Sequence, residues 1–204
     1  MPDPDQALVE ACQKADGQDF EEAYRQLFVL YQDRVYTICL RVAGNQEDAL
    51  DAAQETMVTL ARRIKDFAFR SRFSSWVYRI AVNAAIDSRR RRLDAPRAGV
   101  QTTVGNAEGD RQLQQVAAEE KHADPVQELA RTENQELIQD ALGRMNPKFA
   151  ALLVLRYIEG LSYEEIAEVQ ECSLGTVKSR LSRAHGSLKE FLQHRGFDPS
   201  ELSP

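Results

Sequence analysis

The chain has 204 residues, 43% hydrophobic and 28% charged, with a net charge of -6. Those values describe a globular polypeptide of one medium or two small domains, and no apolar run approaches the ~20 residues that span a bilayer. The acidic start MPDPDQALVE has no apolar core of a signal peptide, and the scattered Cys12, Cys39 and Cys172 neither frame disulfides nor pair with His122, His185 or His194 at metal-ligand spacing.

Residues 1–19 read as a polar, partly ordered segment with a short helix around Ala7–Lys14. From Phe20 to Ala43 the residues Phe20, Tyr24, Leu27, Phe28, Tyr31, Val35, Ile38, Cys39 and Val42 recur at helical spacing. Gly44 stops that helix and Asn45 caps the next. The following helix has an acidic first turn, as the helix dipole favours. One of its faces is apolar (Ala49, Ala53, Met57, Leu60, Ile64), and the other carries Asp48, Asp51, Gln54 and Glu55. By spacing alone that acidic face is a solvated surface.

After the loop FRSRFSS comes WVYRIAVNAAIDSRRRR, with Trp76, Val77, Ile80, Ala81 and Ala84 on its buried side. Arg79, Asn83, Asp87 and Arg90 fall on another side, and Arg89, Arg90, Arg91 and Arg92 close the helix where cations suit its dipole. Residues 96–123 lack a sustained apolar period and read as an acidic, flexible linker, with a short helix around Gln112–Lys121. The excess acid sits in the middle of the chain: residues 96–147 carry 5 Lys/Arg against 9 Asp/Glu, whereas each flank is near neutral at -1. Acidity in the middle and basic clusters at the ends fit a protein that reaches DNA within a larger complex, since phosphate contacts need cations.

Helicity resumes at Asp124-Pro125 with Leu129, Leu137, Ile138, Leu142 and Met145 apolar. Asn146 caps a helix with Pro147 at its first position, burying Phe149, Leu152, Leu153 and Tyr157, until Gly160 breaks it. Ser162 and Glu165 then form a capping box ahead of Ile166, Ala167 and Val169. Ser173 caps a last helix whose apolar positions are Leu174, Val177, Leu181, Ala184 and Leu188. Its outward residues are Thr176, Lys178, Ser179, Arg180, Ser182 and Arg183, and from Ser173 to Lys189 there are four Lys/Arg and no Asp/Glu. A short helix, a tight turn and a one-sidedly basic helix form a helix-turn-helix, whose second helix enters the major groove.

The string LSYEEIA…CSLGTVKSRLSRA resembles region 4 of the extracytoplasmic-function (ECF) sigma factors, RpoE-like members of the sigma-70 family. Asp48-Ala49-Leu50-Asp51-Ala52-Ala53-Gln54-Glu55 resembles their region 2.2, with Leu50 in place of the usual Glu, and W-V-Y-R-I-A-x-N with its basic tail resembles regions 2.3–2.4. The resemblance implies an all-α protein of two small helical domains joined by a flexible linker. These are a σ2 bundle (20–95) and a σ4 helix-turn-helix (124–195), followed by a tail (196–204).

The resemblance also implies partners: core RNA polymerase through its β′ clamp helices and β flap, promoter DNA, and an anti-sigma factor. It implies a cytoplasmic protein with no cofactor, no catalytic residues and no membrane insertion. Asp48, Asp51, Gln54 and Glu55 are the expected polymerase contacts. Arg79, Asn83 and Arg89–Arg92 are expected at the -10 element, with Asn83 reading a base. Arg156, Tyr163, Glu164, Thr176, Lys178, Ser179, Ser182 and Arg183 are expected at the -35 element. Glu171, before the turn, is commonly Gly in the family. A helix-turn-helix repressor or response-regulator output domain is the alternative, and it leaves the 48–55 and 76–83 motifs unexplained.

Overall fold

Side-chain caps set where the helices begin. The Asn45 side chain accepts from the Asp48 N–H at 2.9 Å, Asn146 from Lys148 at 2.9 Å, and Ser162 and Ser173 each from the residue three further on at 3.2 Å. Each satisfies a donor that would otherwise lack an intrahelical partner. The computed structural model describes residues 3–94 and 125–197, and every regular element among them is helical. The expected linker, its short helix, and all of the tail beyond 197 lie outside the described residues.

The first group is α1 (Gln6–Lys14), α2 (Gly17–Ala43), α3 (Gln46–Arg63) with a 3-10 turn at Ile64–Asp66, and α4 (Phe73–Asp94). Gly44 ends α2 in the left-handed conformation (φ 86°), its N–H donating to the Leu40 carbonyl, a backbone state that glycine adopts without steric cost. One stripe of α2, Leu27, Tyr31, Val35, Ile38 and Val42, is buried against Ala49, Ala52, Met57 and Leu60 of α3 and Val77, Ala81, Val82 and Ala85 of α4. Trp76 is buried as expected, its ring packed at a tilt against Phe67 and Phe73. Phe28, grouped with the buried positions by spacing, is 38% exposed; it sits one residue, about 100° of helix rotation, off the buried stripe. Burial drives the Cys39 thiol up to about 12, so it is a protonated core residue and not a reactive one.

The N-terminal segment is more ordered than its polarity indicates. α1 buries Val9 and Cys12, the Tyr31 hydroxyl donates to the Asp5 carboxylate, and the Gln13 amide donates to the Ile64 and Phe67 carbonyls at 3.0 and 2.8 Å.

The second group is α5 (Pro125–Arg144), α6 (Pro147–Leu153), a π-helical segment (Val154–Ile158), α7 (Tyr163–Val169) and α8 (Leu174–His194). Leu142, Met145, Leu152, Leu153 and Leu155 pack with Ile166, Val169, Val177 and Leu181. Two expected core residues lie outside it: Ile138 is 47% and Tyr157 is 65% exposed. The π segment accounts for Tyr157, because its wider turn takes up an extra residue and rotates later side chains off the α-helical stripe. Tyr157 instead meets His185 at 2.9 Å on the surface.

The two groups pack on each other, and one residue joins them. Arg89 of α4 is 3% exposed. Its guanidinium donates to the Val42 carbonyl of α2 at 3.1 Å and to Leu142, Gly143 and Met145 carbonyls at the end of α5 at 3.0, 2.5 and 2.7 Å. It thereby caps the C-termini of two helices from opposite groups, where exposed carbonyls favour a cation. Beside it Gly44 and Gly143 approach so closely that a Cβ on Gly44 would lie 3.2 Å from the Gly143 Cα.

Candidate promoter and polymerase interfaces

The helix-turn-helix is built as its residues require. Glu165 completes the capping box by accepting from the Ser162 N–H at 2.8 Å, and that bond holds its carboxyl below the usual carboxylate range. The turn passes through Glu171 at φ 46°, a left-handed position uncommon for a non-glycine. Val177, Leu181 and Ala184 anchor α8 inward, leaving Lys178, Ser179, Ser182 and Arg183 exposed along one side. Thr176 is half-buried, its hydroxyl 2.9 Å from that of Ser173. Ser179 donates its hydroxyl proton to the Thr176 carbonyl at 3.0 Å.

Arg156, Tyr163 and Glu164 gather at the entrance of α7. The Arg156 guanidinium lies 5.3 Å from the Tyr163 ring centroid and donates to the Leu161 carbonyl at 2.8 Å, which fixes its direction while Glu164 stays exposed.

On α4, Asn83 is exposed. Arg79, one turn earlier, is half-buried in an ion pair with Glu171. The four terminal arginines do not form one exposed run. Arg90 pairs with Asp87 at 3.1 Å, Arg91 with Glu55 at 3.4 Å and Arg92 with Asp48 at 3.1 Å, whereas Arg89 is the buried bridge between the groups and presents no surface to DNA in this arrangement. The signal lay in the period: Tyr78, Val82, Ala85 and Arg89 continue the buried stripe of α4.

The 48–55 motif divides similarly. Asp51, Gln54 and Glu55 are exposed on one side of α3 together with Leu50, itself 43% exposed. Asp48 is mostly covered, with a side-chain exposure of 17%, accepting from the Asn45 amide at 2.6 Å and pairing with Arg92. It stabilises the start of α3 as much as it offers a surface.

Sequence reasoning missed Glu159. Burial holds its carboxyl above the usual range, offset by the Tyr78 hydroxyl and by Arg34, which itself donates to Tyr78 at 3.2 Å. No local pattern marks it, because its partners are on α2 and α4.

Residues 27–93 match sigma-70 region 2 and residues 135–185 match sigma-70 region 4. The chain is 32% identical over 173 residues to the ECF RNA polymerase sigma factor SigW of Bacillus subtilis, a match covering 85% of this chain and 90% of that protein. Among solved structures, CnrH in complex with the cytosolic domain of CnrY shares the fold with a TM-score of 0.62 at 22% identity, over 93% of this chain and 97% of that one. The sigma factor RpoE from Bartonella quintana, in complex with the anti-sigma factor NepR, shares it with a TM-score of 0.59 at 21% identity, over 84% and 98%.

Proposed function

The chain belongs to the sigma-70 family as an ECF RNA polymerase sigma factor, and we propose that it directs initiation by docking on core polymerase through α3, reading the -35 element with α8 and opening the -10 element with α4. The observation that carries this reading is α8 itself. Its apolar row is buried while Lys178, Ser179, Ser182 and Arg183 stand exposed on a capped, anchored helix, the geometry by which a recognition helix enters the major groove. A helix-turn-helix regulator acting without polymerase accounts for α7 and α8 alone and leaves the region 2 match at 27–93 without a role.

Asp51, Gln54 and Glu55, with Asp48 behind them, form the proposed contact to the β′ clamp helices, and the second group meets the β flap. An anti-sigma factor is a proposed regulator, on the strength of the solved relative bound to NepR. Sigma factors are not enzymes, and we assign this chain no catalysis of its own. No helix among the described residues is long and apolar enough to cross a membrane, and we place the protein's work in the cytoplasm, with the polymerase.

The direct test is reconstitution. Added to core polymerase, the purified chain should confer initiation at specific promoters, and initiation no different from core alone would end the proposal. Within that assay Lys178→Ala and Arg183→Ala should each weaken -35 use without unfolding, since both side chains are exposed. A lost base contact costs about 1–3 kcal/mol and relaxes preference at one position, whereas a lost phosphate contact weakens all sequences alike. Unchanged promoter use by both variants would remove α8 as the reader.

Asn83→Ala should spare polymerase binding and -35 recognition but lose discrimination at one -10 base. An amide offers both a donor and an acceptor to an extruded base. Transcription from templates carrying every base at each -10 position, duplex and premelted, reads this out. Base preference identical to wild type on both templates would clear Asn83 of the role.

A further inference from the structure

Residues 3–26 precede the region 2 match at 27–93, yet long-range bonds tie them to both ends of one loop, 67–72, that leads into α4. At the loop's entrance the Gln13 amide donates to the Ile64 and Phe67 carbonyls at 3.0 and 2.8 Å. At its exit the Asp3 carboxylate accepts from the Phe73 N–H at 2.5 Å, the first N–H of α4. We propose that the N-terminal segment is a clamp that holds this loop ready for strand opening, with Asp3 and Gln13 as its positioning residues. The proposal rests on the reading of α4 as the -10 surface.

Three observations support it. First, the clamp is itself fixed. One Asp3 carboxylate oxygen accepts from the Asp5 N–H at 3.1 Å, which leaves the other for Phe73. Val9 and Cys12 are buried in the core that holds Ile64, Phe67 and Phe73, and Lys65 pairs with Asp16. Second, the bond at the exit meets a need that the loop cannot meet for itself. The first N–H groups of a helix have no intrahelical acceptor, and the dipole favours a carboxylate there. Here the carboxylate comes from 70 positions earlier in the chain. Third, the held loop is strained. Phe69 has φ 53°, an outlier for a bulky side chain, and its ring lies 5.0 Å from that of Phe67. Such strain persists only where the surroundings over-determine it, and it gathers at binding sites and switches. With both ends pinned, the loop presents the exposed Arg70 in a conformation set beforehand, so DNA binding does not bear the entropy of ordering it.

Trp76, the chain's single tryptophan, packs against Phe67 and Phe73, so its fluorescence reports where the loop sits. Asp3→Ala combined with Gln13→Ala should shift the Trp76 emission to the red, while circular dichroism keeps the wild-type helical signal. Holoenzyme assembled with this double variant should initiate about tenfold less from a duplex promoter, the worth of one charge-assisted hydrogen bond. On the same promoter with its -10 segment premelted it should match wild type, because unpairing and extrusion no longer limit initiation. A segment that only stabilised the fold would lower both templates equally, through the fraction of intact protein. Asp3→Ala alone should show part of the duplex defect. Asp3→Asn keeps an acceptor for the Phe73 N–H and should behave as wild type in emission and on duplex.

An equal fall on duplex and premelted templates, no fall on either, or a Trp76 emission unmoved in the double variant would each overturn the clamp. So would an Asp3→Asn variant as impaired as Asp3→Ala. The underlying reading of α4 fails separately: Asn83→Ala would then keep the wild-type -10 base preference on both templates, whatever the N-terminal variants do.

Discussion

Asp51→Arg combined with Glu55→Arg should abolish capture of core RNA polymerase while leaving the helical fold intact. Both side chains are exposed on α3, and the pair that Glu55 makes with Arg91 at 3.4 Å is solvated, so the isolated protein loses little. Across an interface with basic residues the result differs, because each reversal removes an attraction and adds a like-charge clash. Close interfacial charge pairs couple by about 1.5–7 kcal/mol, so the two together should weaken binding by a hundredfold or more, about 3 kcal/mol at least. Asp48 is the poorer choice for this test, since it accepts from the Asn45 amide at 2.6 Å and pairs with Arg92, and its reversal would injure the start of α3. Co-purification of the doubly reversed chain with core polymerase at wild-type affinity would show that this side of α3 is not the docking surface.

Arg89→Met should lower stability by several kcal/mol, since each buried carbonyl left without a donor costs about 1–3 kcal/mol. Methionine approximates the aliphatic stem but donates nothing, and the Val42, Leu142, Gly143 and Met145 carbonyls would be left without their cation. Urea unfolding should show the loss, with the second group of helices separating from the first before either melts. Arg90→Met is the matched control. Arg90 is exposed and, among the described residues, pairs with Asp87 on its own helix, so its replacement should fall within about 0.5 kcal/mol of wild type. Equal midpoints for the two variants would contradict the bridging role.

What the sequence by itself determined is what a few neighbouring residues decide. Asn45, Asn146, Ser162 and Ser173 cap their helices because donor and acceptor lie within three positions of each other, and Gly44 ends α2 because only its own φ is at issue. Ala49, Met57 and Leu60 of α3 and Val177, Leu181 and Ala184 of α8 are buried as period alone indicates, and Lys178, Ser179, Ser182 and Arg183 are exposed, whereas Ala53, Leu174 and Leu188 are only half-buried. Membership of the sigma-70 family was legible too, in the order of its motifs.

Tertiary structure decided the rest. Four consecutive arginines look equivalent in a sequence, yet Arg89 is buried because the carbonyl ends of α2 and α5, 47 to 56 residues away, converge on it. Tyr157 and Ile138 look like core residues by spacing and are exposed, one because a π segment shifts the register and the other because the core closes without it. Polar composition made residues 1–19 look weakly ordered, but Tyr31, Ile64 and Phe67 supply distant partners for Asp5 and Gln13. Of the acids of α7, Glu165 read as half of a capping box and Glu164 as a -35 contact. Only the packing of α7 on α4 turned Glu165 and Glu168 toward Arg72 and Ser75, because a charge's meaning depends on what the fold sets opposite it.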